Sequence, residues 1–329
     1  MKRSRPRTHT RSRGRHVVKP PRQRSTTPRV PLALEQRQLG RTGRATSILA
    51  LGTSRLVRAG QREAIRMVRE AIDHGVNVIE TGWEYGEGRT ERWLGLALKD
   101  GYRERVTLVW QCGAHLRDYK TAMQQVDESL SRLKTDACDV WSFHEMIYDN
   151  DPDWLYDHGG LDAALEAREQ GKTRWIGFGG HKSPHIHVKL LQRGFAWDVV
   201  MMPLNALDAT FRSFEKQVLP EAVRRGIAVM ATKPLAGGAI AGSRVVKPDD
   251  ALRYCFSLPV SSVICGMEHP GVLRKNLRLA AKFKPFHAGE MDALRQRARG
   301  VAGDGRFERY KTTQDFDGLP GRLAHGYAK

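Results

Sequence analysis

Eight short apolar runs punctuate the chain from residue 47 onward: SILALGT (47–53), NVIETG (77–82), RVTLVWQ (105–111), DVWSFHE (139–145), RWIGFGG (174–180), DVVMMPLN (198–205), AVMATKP (228–234) and SSVICGM (261–267). They are nearly continuous in hydrophobicity, the pattern of parallel strands covered on both faces. Between them, apolar residues recur at helical spacing: Ile65, Val68 and Ile72; Met123, Val126, Leu130 and Leu133; Phe214, Val218 and Ala222; Leu273, Leu277 and Ala280. Gly75, Gly101, Gly171, Gly194 and Gly226 stand where such helices would close with a left-handed C-cap. The unit is helix, glycine, strand. Eight such units, with the last helix ending near Phe283, predict an α/β fold of the TIM-barrel type, a closed (β/α)8 barrel of eight parallel strands. No G-x-G-x-x-G follows the first run, which disfavours an open dinucleotide-binding sheet.

The barrel is expected over residues 35–283. Its first segment, EQRQLGRTGRAT (35–46), places Gly40 and Gly43 among polar residues and predicts a short hairpin capping the barrel floor. Residues 284–329 read as a C-terminal extension, irregular apart from one helical stretch near Met291–Ala298. The formal charge of +19 is unevenly distributed: residues 1–34 hold eleven Lys or Arg and no acid, leaving +8 for the other 295 residues. That segment also carries Pro6, Pro20, Pro21, Pro28 and Pro31 and few apolar residues, so it is expected to be a disordered basic tail. Anion or weak nucleic-acid contact, targeting, and no function at all are open readings of it. Four dispersed cysteines without a C-x-x-C pair fit a reducing, cytoplasmic setting, and no apolar run is long enough to span a membrane.

A barrel of this kind gathers its chemistry at the C-terminal ends of its strands. Those ends carry Gly52 and Thr53, Glu80 through Tyr85, Gln111 and Cys112, His144 and Glu145, Gly179 to His181, Asn205, Lys233, and Gly266 with Met267. The set holds a phenol, imidazoles, carboxylates and one lysine.

Over roughly residues 36–283 the chain resembles the aldo-keto reductase family. QLGRTGRATSILALGT is similar to the family's opening hairpin and first strand, VIETGWEYGEGRTERWLG to its D-T-A-x-x-Y-G-x-x-S-E signature, and GKTRWIGFGG to G-K-I-R-x-I-G-x-S-N. SSVICGMEHPGVLRKN resembles the segment around strand eight that holds the adenosine end of the cofactor, while DNDPDWLYDHGG and GHKSPHIHVK resemble a bacterial-type subgroup. The resemblance implies reduction of a small-molecule carbonyl by hydride from NADPH, with an Asp, Tyr, Lys and His tetrad. At those positions stand Glu80, Tyr85, Gln111 and His144. Tyr85 is then the expected proton donor and His144 the group that orients the carbonyl. Gln111 departs most, because a neutral amide cannot favour phenolate as an ammonium does.

The same resemblance assigns Gly52, Thr53, Gly179, Gly180, Met201, Lys233, Gly266, Met267 and Asn276 to the cofactor, NADP or NAD. Gly179, Gly180 and Met201 replace the family's amide-binding Ser, Asn and Gln, and Glu268 and His269 stand where Ser and a basic residue commonly meet the 2′-phosphate. A carboxylate there repels phosphate, which opens the choice to NAD or to no cofactor. Lys233 either pairs with the long Glu80 side chain, restoring an ammonium to the site, or contacts cofactor phosphate or solvent. The altered tetrad also leaves open a catalytically impaired barrel acting as a nucleotide-sensing regulatory or binding protein.

Other constellations have plainer readings. His181 and His185, with His187 and His144, have partial metal-ligand spacing but no carboxylate completing a local set. Cys112 reads as packing material rather than a nucleophile. Trp83, Tyr148, Trp154 and Tyr156 read as an aromatic rim, lining a substrate site or packing against their own loop.

Overall fold

The computed structural model describes residues 32–327, so the basic tail through residue 31 and the last two residues lie outside the described residues. Within it, Leu32 and Leu34 pack against the core. A two-stranded antiparallel hairpin comes first, β1 (Gln36–Gln38) against β2 (Ala45–Ser47), with Gln36 opposite Ser47. Eight parallel strands follow: β3 (Leu49–Gly52), β4 (Val78–Gly82), β5 (Thr107–Cys112), β6 (Val140–Phe143), β7 (Trp175–Gly179), β8 (Val199–Pro203), β9 (Ala228–Thr232) and β10 (Ser262–Gly266). Each pairs with its successor, and β10 returns to pair with β3, with Val263 opposite Leu49, closing the barrel. Seven of the eight predicted runs contain their strand whole, and β5 runs one residue beyond its run, to Cys112.

Alternation along the strands separates two cores. Ala50, Val78, Val109, Val140, Val199, Met201, Ala228, Met230 and Ile264 meet inside the barrel. Intervening residues such as Leu51, Ile79, Leu108, Trp110 and Trp141 face the helices. Leu39, fully buried in the hairpin turn, plugs the lower end of the inner core, so the hairpin caps the floor as its composition predicts. Arg37 pins the hairpin by donating to the carbonyls of Phe256, Leu258 and Val260 at 2.7–3.0 Å.

The helices are α1 (Gln61–Asp73), α2 (Arg89–Ala97), α3 (Tyr119–Leu133), α4 (Asp151–Asp157), α5 (Gly160–Glu169), α6 (Pro184–Gln192), α7 (Phe214–Gln217), α8 (Leu219–Arg224), α9 (Pro248–Ser257), α10 (Pro270–Ala281), α11 (Ala288–Ala302), α12 (Arg309–Thr312) and α13 (Leu319–Ala324). The periodic residues of α1, α3 and α10 face the core, and the five predicted C-cap glycines all have φ between 67° and 93°. One expectation changes locally. The Phe214–Ala222 pattern is two short helices rather than one, because Pro220 brings no backbone N–H to continue the ladder. Thr90 lies in the first turn of α2, and its hydroxyl donates to the Tyr85 carbonyl at 3.1 Å.

The C-terminal extension is more ordered than its composition suggests. It forms three helices, α11 to α13, and its later part folds over the barrel mouth. A buried ionic cluster anchors it: Lys311 Nζ lies 2.6 Å from Asp208 Oδ1 and 3.0 Å from Glu308 Oε2, with all three side chains at most 1% exposed. Tyr310 and Asn205 complete the cluster, the Asn205 amide donating to the Tyr310 hydroxyl at 2.9 Å.

Gly40 has φ +51°, and a Cβ there would fall 2.4 Å from the backbone nitrogen of Ala228 at the foot of β9. Gly40→Ala is therefore expected to lower the unfolding free energy by roughly 2 kcal/mol, read from the urea midpoint, because strain and overlap act together.

Candidate active site

The C-terminal strand ends open into a cavity of about 720 Å³ whose walls include Glu80, Tyr85, Gln111, His144, Glu145 and Lys233. All four tetrad positions therefore meet in one place. Glu80 is the third residue of the fully buried β4, Gln111 lies on neighbouring β5 opposite Gly82, and Tyr85 follows β4 on a turn closed by its own N–H to the Gly82 carbonyl at 3.1 Å. Gly82 matters locally, because an added Cβ would sit 3.2 Å from the Tyr85 ring.

The three polar side chains form a closed hydrogen-bonded triangle. The Tyr85 hydroxyl donates to Glu80 Oε1 at 2.6 Å, and the Gln111 amide donates to the same oxygen at 2.5 Å and to the Tyr85 hydroxyl at 2.8 Å. Burial pushes the Glu80 carboxyl above its ordinary range, against the lowering effect of these bonds and of the charges on His144 and Lys233. Burial also raises the Tyr85 phenol, helped by the negative charge of Glu80 beside it. In this geometry the phenol proton faces Glu80.

His144 follows β6. Its Nδ1 lies 3.7 Å from Glu84 Oε2, and the other Glu84 oxygen is 2.5 Å from His115 Nε2. Burial alone would depress the imidazole, but the carboxylates of Glu84, Glu145 and Glu80 outweigh it and raise its pKa. Glu84 is held ionised: burial opposes ionisation, and the two imidazoles overcome it. Beneath His144, the fully buried Arg117 pairs with Asp151 at 2.8 Å and donates to the carbonyls of His144 and Glu145 at 2.8 and 2.7 Å. Arg117, Glu145 and Lys233 all adopt left-handed backbone, with φ of +57°, +50° and +50°, a concentration of strain around the cavity. Arg117 and Asp151 were not visible as site residues in the sequence, since nothing in their spacing marks an ion pair that runs beneath a loop, and Glu84, though within the strand end at 80–85, carried no sign that it would meet two imidazoles.

Lys233 follows β9, and its ammonium stands 5.5 Å from the Tyr310 ring centroid and 5.9 Å from that of Phe316. No ion pair joins it to Glu80 among the described residues, because Glu80 is turned to Tyr85 and Gln111, so of the two open readings of Lys233 the direct pair is not formed. Burial lowers the Lys233 pKa against the pull of Glu145 and Glu80. The aromatic rim resolves as packing. Tyr148 stacks on His325 and Tyr327, Trp154 on His158 and His325, Arg193 lies over Tyr156, and the Trp83 indole donates to Glu128. Phe316, from the extension, supplies an aromatic wall instead. Next to it, the Gly318 N–H donates to Glu145, and Asp317 lies 3.2 Å from His181 and 2.8 Å from Lys182.

The histidines of the 181–187 segment diverge. His181 meets Asp317, His185 meets Asp149, and His187 meets the Met201 carbonyl. Cys112 is buried and its thiol is pushed up to about 12 by that burial. Of the residues assigned to a cofactor, Gly52, Gly179, Gly180, Met201, Lys233, Gly266 and Asn276 line the cavity. Thr53 and Met267 are fully buried outside its walls, Thr53 sharing a 3.0 Å hydrogen bond with Thr81. Glu268 is paired with Arg58 at 2.8 Å and Arg55 at 3.7 Å, so that edge carries two guanidinium groups for one carboxylate.

Comparison with known proteins agrees with this geometry. A profile of the Aldo/keto reductase family matches residues 48–250. The 6-dehydroglucose reductase of Novosphingobium aromaticivorans is 30% identical over 236 residues, 66% of this chain and 74% of that protein. An uncharacterized oxidoreductase of Bacillus subtilis is 30% identical over 268 residues, 70% of this chain and 78% of the other. The holo form of an aldo-keto reductase from Bacillus halodurans superposes with a TM-score of 0.71 at 22% identity, over 84% of this chain and 99% of that one, a likeness of fold. The chain belongs to the aldo/keto reductase family, whose members use nicotinamide cofactors and whose relatives here are named as reductases and oxidoreductases. Among the described residues, no helix is long and apolar enough to cross a membrane.

Lys311→Met would leave Asp208 and Glu308 buried without their cation. The expected loss is about 3–5 kcal/mol of stability, measured by guanidinium denaturation, because an uncompensated buried charge costs far more than a surface pair.

Proposed function

We propose that this protein is a nicotinamide-dependent oxidoreductase that interconverts a small carbonyl compound and its alcohol, with Tyr85 exchanging the proton at the substrate oxygen and His144 orienting that oxygen. The observation that carries this reading is the convergence of Tyr85, His144, Glu80 and Gln111 on one cavity whose other end is lined by Gly266, Asn276, Arg55 and Arg58.

The residues fit such a cofactor. Gly52, Gly179 and Gly266 keep the walls open: an added Cβ would lie 3.0 Å from Ile264, 3.0 Å from Met201 and 3.1 Å from Arg55, respectively. Gly179 and Gly180 would flank the nicotinamide end, and Arg55, Arg58 and Asn276 would hold the phosphate-bearing end. When bound, the reduced cofactor supplies hydride to the carbonyl carbon. The chain's own groups do the rest: Tyr85 bears the transferable proton, His144 presents a hydrogen-bond donor, and the Phe316 wall excludes water from part of the mouth. The cavity wall is mixed, with Met201, Ile264 and Phe316 among its apolar members, but Glu80, Gln111, His144, Glu145 and Lys233 make its catalytic end polar, which suits a hydroxylated carbonyl compound, in keeping with the sugar-derived substrate named for the Novosphingobium relative.

A second reading, a barrel that binds nucleotide without turnover, draws on Gln111 at the position where the family carries a lysine. Titrating the protein with NADPH and NADH by fluorescence, then following cofactor oxidation with aldehydes and aldoses, separates the two. Turnover lost at least a hundredfold in Tyr85→Phe with cofactor affinity unchanged is the expected result. No binding of either cofactor at millimolar concentration defeats the oxidoreductase reading, and binding without turnover of any substrate favours the second. Glu268→Ala frees Arg55 and Arg58 and is expected to favour NADPH over NADH by several-fold relative to wild type, a modest change because the pairs are solvent-exposed.

A further inference from the structure

We propose that Glu80 is the proton reservoir of this site and that Tyr85 relays its proton, so that the Glu80 carboxyl replaces the chemical contribution of the absent lysine. The inference rests on the reading of the cavity as a site of carbonyl and alcohol interconversion.

A phenol that gives up its proton alone must finish as phenolate, and Gln111 offers that anion only a neutral amide. The triangle provides another outcome. Glu80 Oε1 is 2.6 Å from the Tyr85 oxygen with no group between them, and Gln111 bridges both oxygens from β5. A phenol oxygen accepts two hydrogen bonds while donating one. Once Glu80 is protonated, its O–H can donate to Tyr85 while Gln111 continues to do so, and the Tyr85 O–H is released toward the cavity. During reduction the carbonyl carbon takes hydride from a reduced nicotinamide. The electron pair of the carbonyl bond takes the Tyr85 proton, breaking that O–H bond, and a new Tyr85 O–H bond forms from the Glu80 carboxyl. Tyr85 ends neutral and Glu80 ends as carboxylate. Alcohol oxidation runs the same transfers backwards, with Glu80 as the final base.

The side chains are matched to this task. Aspartate rooted at the same place on β4 would fall about 1.5 Å short, one carbon–carbon bond, of the reach that glutamate has. A lysine at position 111 would hold Glu80 as an ion pair and keep it from carrying a proton. The groups facing Glu80 are Tyr85 on the turn after β4, Gln111 on β5, His144 after β6 and Lys233 after β9, with Gly52 alone on the β3 side and Glu145 acting on Tyr85. Burial outweighs both cations, so the carboxyl keeps its proton above the pH at which an exposed glutamate loses it. Reductive kcat is accordingly high at low pH and falls as pH rises through the Glu80 titration.

Infrared titration of the cofactor-free protein tests this directly. A carboxylic acid C=O band in the wild type minus Glu80→Gln difference spectrum should persist above the ordinary glutamate range and shift in Tyr85→Phe. In turnover, Glu80→Gln should lower kcat at least tenfold with little change in KM and remove the fall in kcat that accompanies the Glu80 titration as pH rises. Glu80→Asp, which keeps the acid and shortens the reach, should lower kcat and lose the Tyr85-dependent band shift. Gln111→Lys should abolish the band and move the pH dependence to the alkaline side. Turnover without such a band, or the same pH profile in wild type and Glu80→Gln, overturns the relay alone. A band present with no turnover of any carbonyl or alcohol overturns the oxidoreductase reading, and the relay as a catalytic device with it.

Discussion

A parallel sheet left open exposes two edges of unpaired backbone groups, whereas here the β10 ladder to β3 satisfies both edges and turns the sheet into a barrel. Everything at the site depends on that closure. Because all eight strands run the same way, closure delivers eight C-terminal ends to one rim, and residues as distant in sequence as Glu80, His144 and Lys233 line one cavity. The inner core of branched and sulfur-containing side chains, stopped below by Leu39, keeps the rim at fixed diameter. Side chains can then meet at hydrogen-bond distance without loop rearrangement.

The two substitutions in the tetrad make sense as a pair. Replacing a lysine by Gln111 alone would leave a buried phenol beside an amide; replacing an aspartate by Glu80 alone would place a longer carboxylate against an ammonium. Together they give a triangle in which Glu80 Oε1, the Tyr85 hydroxyl and the Gln111 amide nitrogen satisfy one another and the net charge is one less positive. Around it, ionic groups are arranged in layers. Arg117 and Asp151 hold the loop backbone from below, Glu84 steadies the imidazoles from the side, and the C-terminal extension brings Phe316 and Asp317 over the top. Lys311 anchors that extension at full burial, so the mouth is walled by a segment far in sequence from the strand ends it covers, 136 residues from His181 and 173 from Glu145.

Continuous apolar runs and C-cap glycines made the barrel legible, because burial on both strand faces and left-handed helix ends each leave a local mark. Tyr85, His144, Glu80 and Gln111 were legible for a related reason, since a strand's end is a position in sequence. Arg117, the imidazole partners of Glu84 and the Lys311–Asp208 pair left no such mark. Glu145 lies 28 residues from Arg117, His115 31 from Glu84 and Asp208 103 from Lys311, and a buried arginine reads in sequence like any surface arginine. None of Trp83, Tyr148, Trp154 and Tyr156 is among the cavity-wall residues; Tyr148 and Trp154 pack against the extension, Trp83 meets Glu128 and Tyr156 lies under Arg193.

The amino-acid sequence by itself determined the secondary elements, their order, the parallel barrel and the identity of the groups at its mouth, because hydrophobic period, glycine placement and strand direction are local properties of a chain. Tertiary structure alone decided which of those groups meet. That Glu80 turns to Tyr85 and Gln111 rather than to Lys233, and that Lys233 faces two rings of the folded-back extension, depends on distances of a few ångströms between segments far apart in sequence. Hydrogen bonding and burial act over those distances, and no spacing along a chain encodes them.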